Sequence, residues 1–417
     1  MVEYLPRIVD DELSERLKSA GAVVIEGPKA CGKTWTADQR AADRLLLDVD
    51  EAARAAIEIA PGVALDRPAP LLLDEWQEFP SVWNHVRRAV DERQLRGQFI
   101  LTGSSVPDDD VSRHSGAGRF SFLRMRPMSL FETGNSTGDV SFGALFDAAQ
   151  ISARDPGVTI QDIAEIITRG GWPAQQKGSV ESARRSAVDY LEQTCSVDVS
   201  RLGQRQRDPV KVRAVVRAIA RSIGSPVKSA TLANDAGVAV ETVEKLDPRT
   251  VRDYLNALER LLVLEDQPAW APSLRSKRRI RMAPKRHLVD PSLAVAALGA
   301  GPGALLKDLN YLGHLFESLV VRDLRILSQP LGGKVLHYSD NKGGEADAVV
   351  ELPDGRWAAI EVKLGAAAVD HGATSLLRMS KLIEGTGPAF LAVVTGTGIA
   401  YTRNDGIHVV PIGSLGP

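Results

Sequence analysis

The sequence predicts an α/β protein built as three consecutive units: an α/β unit, a helical connector and a second α/β unit. Three observations predict it. Short apolar runs alternate with amphipathic stretches through residues 1–155, the hydrophobic period turns helical between about Thr159 and Asp266, and strand-like runs return from Val335 onward. The expected boundaries are 1–155, 156–284 and 285–417. A chain of 417 residues accommodates that division at about 100–200 residues per domain.

In the first unit, Ala22-Val-Val-Ile-Glu26, Arg44-Leu-Leu-Leu-Asp48, Pro70-Leu-Leu-Leu-Asp74 and Gln98-Phe-Ile-Leu-Thr102 read as strands. Near-continuous apolar character is what a parallel sheet covered on both faces requires. Ser81–Leu95 supplies a helical pattern between two of them. In the connector, Val210–Ile223 and Arg249–Leu264 carry apolar residues at i, i+3, i+4 spacing. Ser229–Gly237 reads as a short capped helix closed by a glycine turn. Asp247 then caps a second helix with Pro248 at its first position. Followed by Leu262-Val-Leu-Glu265, this is the pattern of a winged helix-turn-helix. Arg249, Thr250 and Arg252 would face a DNA groove, or the helix would serve as a lid or protein contact. The last unit opens with helices at Pro291–Leu298 and Leu309–Leu327. Strands follow at Val335–Tyr338, Ala346–Leu352, Trp357–Lys363 and Ala389–Val394.

Composition narrows the function classes. Hydrophobic residues at 44% and charged residues at 25% are the balance of an ordinary globular protein. Lys and Arg number 51 against 53 acidic residues, so no global field draws the molecule to nucleic acid or anionic lipid. Any basic surface is local. No apolar stretch reaches the roughly 18–20 residues of a membrane span, so no membrane partner is expected. The opening Met1-Val-Glu-Tyr-Leu-Pro6 lacks a secretory pattern. Cys31 and Cys195 alone build neither a disulfide framework nor a zinc site. A reduced, cytoplasmic protein is the expectation.

The strongest motif is Gly27-Pro28-Lys29-Ala30-Cys31-Gly32-Lys33-Thr34, which fits G-x-x-x-x-G-K-[ST] and directly follows the strand Ala22–Glu26. Such a loop closes backbone N–H groups around phosphates, with the following helix start beneath them. Lys33 would reach the β/γ oxygens of ATP, and Thr34 would offer its hydroxyl to Mg²⁺. Leu71-Leu-Leu-Asp74-Glu75 is an apolar strand ending in two carboxylates. Asp74 would hold Mg²⁺ through water, and Glu75 would polarise the attacking water. Thr102 or Ser104, at the end of the next strand, would sense the γ-phosphate or orient that water. Arg119 closes the glycine-containing stretch His114-Ser-Gly-Ala-Gly-Arg119. It would act as an arginine finger, in cis or towards a neighbouring copy in a homo-oligomer, or else pair with a surface acid.

Two further constellations carry charge. The run Ser273–His287 places seven Lys or Arg residues among fifteen, with no acid, in a chain of net charge −2. Arg275–Arg286 would therefore contact DNA phosphates, or remain a solvated or acid-paired loop. Near the C-terminus, Asp347 begins one strand, and a Pro353-Asp-Gly355 turn leads to Trp357-Ala-Ala-Ile-Glu361-Val-Lys363. Residues i and i+2 of a strand share a face, so Glu361 and Lys363 project together, and a hairpin brings Asp347 alongside. The two carboxylates would hold Mg²⁺ or Mn²⁺, with Glu317 as a further ligand and Lys363 orienting water; a hairpin salt bridge is the alternative.

On Gly27–Thr34, Leu71–Gln77, Phe99–Ser105 and the block His114–Arg119 followed by Met125–Glu132, the chain resembles bacterial and archaeal AAA-type ATPases. Those proteins carry a C-terminal domain of unknown function related to PD-(D/E)XK nucleases. The resemblance implies an AAA-type fold for the first unit, with Asp74 and Glu75 as Walker B acids and Arg119 in the sensor or finger position. The D-(x₁₃)-E-x-K arrangement of Asp347, Glu361 and Lys363 looks like the PD-(D/E)XK core, with Glu317 matching its first-helix acid. It implies a nuclease-like fold for the last unit. Trp35 departs from the pattern, in which a smaller residue usually follows the P-loop threonine.

Overall fold

Alternate residues of the expected apolar strands face opposite ways, and the two resulting surfaces are both covered. In the computed structural model, which describes residues 3–104, 116–202, 207–239, 246–272, 282–340 and 344–417, five strands form one parallel sheet. They are β1 (Ala22–Glu26), β2 (Asp43–Leu46), β3 (Leu71–Asp74), β4 (Phe99–Gly103) and β5 (Phe120–Arg124), in the order β2-β3-β4-β1-β5. Val24, Leu71, Leu73 and Leu101 pack with Trp76, Trp83 and Val86 on one face. Val23, Ile25, Leu72 and Ile100 pack with Leu13 and Ala37 on the other. Each such side chain contributes about 1.5–3 kcal/mol when removed from water. The strand β5 was not expected. Its Phe120 stacks on Trp83 at a centroid distance of 4.0 Å, which anchors a strand whose Ser121 and Arg124 interrupt the apolar run that marks the others.

The chain forms two compact units. The first comprises Met1–Pro127 with the short segments 202–205 and 257–262, and the second comprises the remainder. The expected boundaries at 155 and 284 are therefore not where the compact units divide. Residues 128–155 join the second unit through pairings that two-residue strands cannot announce in sequence. There β6 (Val140–Ser141) pairs with a terminal strand at Leu415–Gly416, and β7 (Ser152–Ala153) pairs with a strand at Ala400–Thr402. The Leu130 N–H donates to Asp323 Oδ2 at 2.8 Å. Gly171 packs so closely that a Cβ there would lie 2.2 Å from the Met128 carbonyl oxygen. Arg322, buried, bridges Asp290 and Asp323 at 2.7 Å each, tying the helix Leu309–Ser328 to the same region.

In the second unit the connector contributes the helices Pro209–Arg221 and Ser229–Ala239 and the helix Pro248–Arg260 as far as Asn256. An antiparallel pair follows, β8 (Leu264–Gln267) with β9 (Lys285–Leu288), and Pro226 bridges to Lys285. The C-terminal region holds β10 (Lys334–Ser339), β11 (Glu345–Glu351), β12 (Trp357–Lys363), β13 (Phe390–Thr395), β14 (Ala400–Thr402), β15 (His408–Pro411) and β16 (Leu415–Gly416). A seven-stranded mixed sheet runs β10-β11-β12-β13-β15-β14-β7. The helix Val369–Lys381 covers one face through Val369, Ala373, Leu376 and Met379 against Val349, Ala359 and Val393. No helix among the described residues is long and apolar enough to cross a membrane.

Candidate functional site

The phosphate loop lies where β1 ends. Gly27 has no room for a side chain: a Cβ would sit 2.4 Å from the Met125 carbonyl oxygen and 2.8 Å from Cys31 Sγ. Gly32 takes a left-handed φ of 103° immediately before the helix Lys33–Asp38, whose first turn thus opens onto the loop. Lys33 is buried and its Nζ donates to the Pro28 carbonyl at 3.0 Å, inside the loop it would share with phosphates. Trp35 is exposed and leaves the loop interior undisturbed.

The strand-end acids meet the loop. Thr34 Oγ1 donates to Asp74 Oδ1 at 2.9 Å, and Thr102 Oγ1 donates to the same oxygen. Glu75 occupies the left-handed region at φ 52°, and its carboxylate takes partners other than those of Asp74. There Gln77 Nε2 and Ser104 Oγ donate to Glu75 Oε2, the latter at 3.2 Å. The two expected sensors donate to different carboxylates, Thr102 to Asp74 and Ser104 to Glu75, and Thr102 Oγ1 also accepts from the Glu75 N–H at 3.3 Å. Gly27, Gly32, Lys33, Thr34 and Asp74 fit a magnesium nucleotide: a hydroxyl bonded to a carboxylate stands at the start of the helix, and an ammonium lies inside the loop.

Arg119 does not join them. It precedes β5, where Phe120 is level with Ala22, and its Nε pairs with Asp91 Oδ1 at 2.7 Å. The P-loop begins at the other end of β1, about 16 Å along the strand direction. A cis finger at Arg119 is corrected on that ground: parallel pairing puts the start of β5 at the opposite sheet edge. His114 and Ser115 of the same stretch lie outside the described residues.

A second cluster forms in the C-terminal region. The β11–β12 ladder ends at Ala348–Ile360, and the Val362 N–H donates instead to Asp347 Oδ2 at 2.8 Å. Lys363 Nζ lies 2.5 Å from Glu361 Oε2 and 3.8 Å from Asp347 Oδ2. Glu317, from the helix Leu309–Ser328, also converges here. Between it and Asp347 sits Lys285 of β9, its Nζ 2.7 Å from Glu317 Oε1 and 3.4 Å from Asp347 Oδ1. Burial, then the charge of Asp347, pushes the carboxyls of Glu317 and Glu361 well above the usual carboxylate range. Burial works against the charge on Lys285 and Lys363, but the neighbouring carboxylates outweigh it and hold both charged.

Glu317, Asp347, Glu361 and Lys363 are brought together as expected, with Lys285 among the acids. Among the described residues no group of three His, Cys, Asp or Glu side chains converges to hold an ion. Lys285 and Arg286 also correct the reading of the basic run. Neither faces solvent: Arg286 is buried and pairs with Asp266 at 2.7 Å. Residues 273–281 of that run lie outside the described residues. Arg249 and Arg252 are exposed on the helix Pro248–Arg260.

Residues 19–134 match the family model of an AAA domain. The first unit carries an AAA-type P-loop domain. Two domains of unknown function account for much of the rest, DUF8612 over residues 160–303 and DUF4143 over 312–415. The uncharacterized proteins Mb2031c of Mycobacterium bovis and Rv2008c of Mycobacterium tuberculosis are each 25% identical over 356 residues, spanning 84% of this chain and 72% of their own. A Walker-type ATPase of Pyrococcus abyssi aligns over 69% of this chain and 94% of its own at 11% identity. Its TM-score of 0.40 is too low to bear on the fold.

Three residues of these sites escaped the sequence reading. In the AAA-type domain, Gln77 holds the Glu75 carboxylate, and buried Arg7 braces the loop by donating to the Cys31 carbonyl at 2.8 Å. Arg7 also donates to the Arg126 carbonyl at 2.7 Å. A glutamine two residues after the acid pair was available as a signal; nothing near Arg7 pointed to the loop. The third is Lys285, hidden among surrounding cations.

Proposed function

We propose that this protein is a Mg²⁺-dependent ATPase whose nucleotide state controls a second unit that contacts other macromolecules without cutting them. The arrangement of Asp74 and Glu75 carries the reading. Two adjacent carboxylates are separated by a left-handed turn, one tied to Thr34 of the P-loop and the other held by Gln77 and Ser104. That is the division of labour phosphoryl transfer to water requires. Thr34 and Asp74 would hold Mg²⁺, which supplies charge neutralisation at the β/γ-phosphates when bound. Lys33 would leave the Pro28 carbonyl for the same oxygens. Glu75 would orient the attacking water and take its proton, with Gln77 and Ser104 fixing the carboxylate's direction.

The order of helix, helix and antiparallel pair in the connector supports a winged-helix reading. The positions of Asp347, Glu361, Lys363 and Glu317 support a PD-(D/E)XK-like arrangement for the C-terminal region. Contact with DNA would rest on Arg249, Arg252 and the run 273–281. Two free, buried cysteines suit the cytoplasm. Calorimetric titration with a non-hydrolysable ATP analogue and Mg²⁺ tests the nucleotide site. Wild type and Glu75→Gln should bind equally, and Lys33→Ala should lose most affinity. Undiminished binding by Lys33→Ala would contradict the assignment.

A further inference from the structure

The carboxylate cluster of the C-terminal region already contains a cation. Lys285 is fixed at its backbone by pairing with Gln267 and by the bridge to Pro226, so its position is set by the β8–β9 pair. Its side chain is 5% exposed, and its ammonium lies between Glu317 and Asp347. The oxygens of Asp347 are all engaged. Oδ1 faces Lys285 at 3.4 Å, while Oδ2 accepts from the Val362 N–H at 2.8 Å and faces Lys363 at 3.8 Å. Glu361 is also engaged, with Lys363 at one oxygen and Ser375 Oγ at 3.3 Å from the other.

A divalent ion such as Mg²⁺ needs about six oxygen ligands at roughly 2.0–2.1 Å. An ammonium offers no lone pair, so it cannot be one of them. Placing the ion here would oppose two ammoniums in a poorly solvated pocket and strip Asp347 of its present donors. Retreat of Lys285 would leave a buried charge without a partner, a heavy cost in a low-dielectric site.

We propose that Lys285 is the resident cation of this cluster, that it closes the site to divalent metals, and that it latches the β8–β9 pair to the C-terminal sheet. The arrangement of acids would then serve as a structural lock. This role goes beyond the proposed ATPase and does not depend on it.

The test is Mn²⁺ binding to the full-length, nucleotide-free protein, followed by the electron paramagnetic resonance of free Mn²⁺. Any ion held near the P-loop is common to all samples, so the component that depends on Asp347 isolates this site. Wild type and Asp347→Asn should give superimposable titrations up to millimolar Mn²⁺. Lys285→Met and Lys285→Gln, each shown to be folded by circular dichroism and a cooperative melt, should gain one tight ion. Adding Asp347→Asn to either should remove it. An Asp347-dependent Mn²⁺ ion in wild type overturns the proposal whether or not the Lys285 variants fold. So does failure of both folded Lys285 variants to gain one. If neither variant folds, superimposed wild-type and Asp347→Asn curves support it.

Discussion

Glu75 and Gln77 show how much depends on one short turn. Leu71-Leu-Leu-Asp-Glu was legible because a buried strand ending in acids is a local pattern, and Thr34 was legible for the same reason. The contact of Gln77 with Glu75 was not, since it exists only because Glu75 adopts φ 52° and the chain turns back on itself. A hydrogen bond to a charged group contributes on the order of 1.5–3 kcal/mol. Gln77→Ala should therefore slow ATP turnover by roughly tenfold or more through a less well-directed Glu75, with ATP affinity unchanged. Steady-state kinetics beside an equilibrium binding titration would check this; weakened binding with intact turnover would speak against a positioning role.

His337 offers a second measurement at this scale. Burial holds its pKa down from 6.5 to about 4. The unfolded chain therefore takes up a proton before the folded one does. Stability present above the unfolded value is lost as pH falls through the window from 6.5 towards 4. Denaturant melts of wild type and His337→Gln should diverge on acidification, with wild type losing up to about 3 kcal/mol more. Parallel pH profiles would mean that His337 takes up its proton alike in the folded and unfolded states.

Among elements, β9 is the most instructive departure from the sequence. Lys285, Arg286 and His287 looked like part of a cationic loop, because their acidic partners Asp266, Glu317 and Asp347 are distant in sequence. Buried on both faces, the strand inverts that expectation. Strands β1, β3 and β4 were legible because their burial is apolar and continuous. The strands β6 and β7 were not, being two residues long and dependent on partners elsewhere, and β5 was not because polar residues interrupt it. For the remaining basic stretch, replacing Arg278, Arg279 and Arg281 together by Gln should weaken binding to duplex DNA at low salt. It should also reduce the log–log salt slope by about 0.9 for each phosphate that is no longer neutralised. Unchanged affinity and slope would remove the stretch from the proposed interface.

At the scale of the whole molecule, Arg119 pairs with Asp91 at the sheet edge opposite its own P-loop, so a finger role, as against a surface pairing, would have to serve a neighbouring copy. Hydrolysis per protomer should then rise with protein concentration until assembly saturates. Mixing Arg119→Ala with Lys33→Ala protein should restore part of the missing activity, because each supplies what the other lacks. A specific activity constant across a dilution that dissociates the protein would exclude that role.

The central claim is that ATP chemistry resides at Glu75 while the C-terminal acids form a lock. Mg²⁺-dependent ATP turnover by wild type, Glu75→Gln and Asp347→Asn, each confirmed folded, tests it most directly. Glu75→Gln should lose at least about 10²-fold in turnover while still binding ATP, and Asp347→Asn should turn over at the wild-type rate. Wild-type turnover by Glu75→Gln, or its loss in Asp347→Asn, would contradict the account.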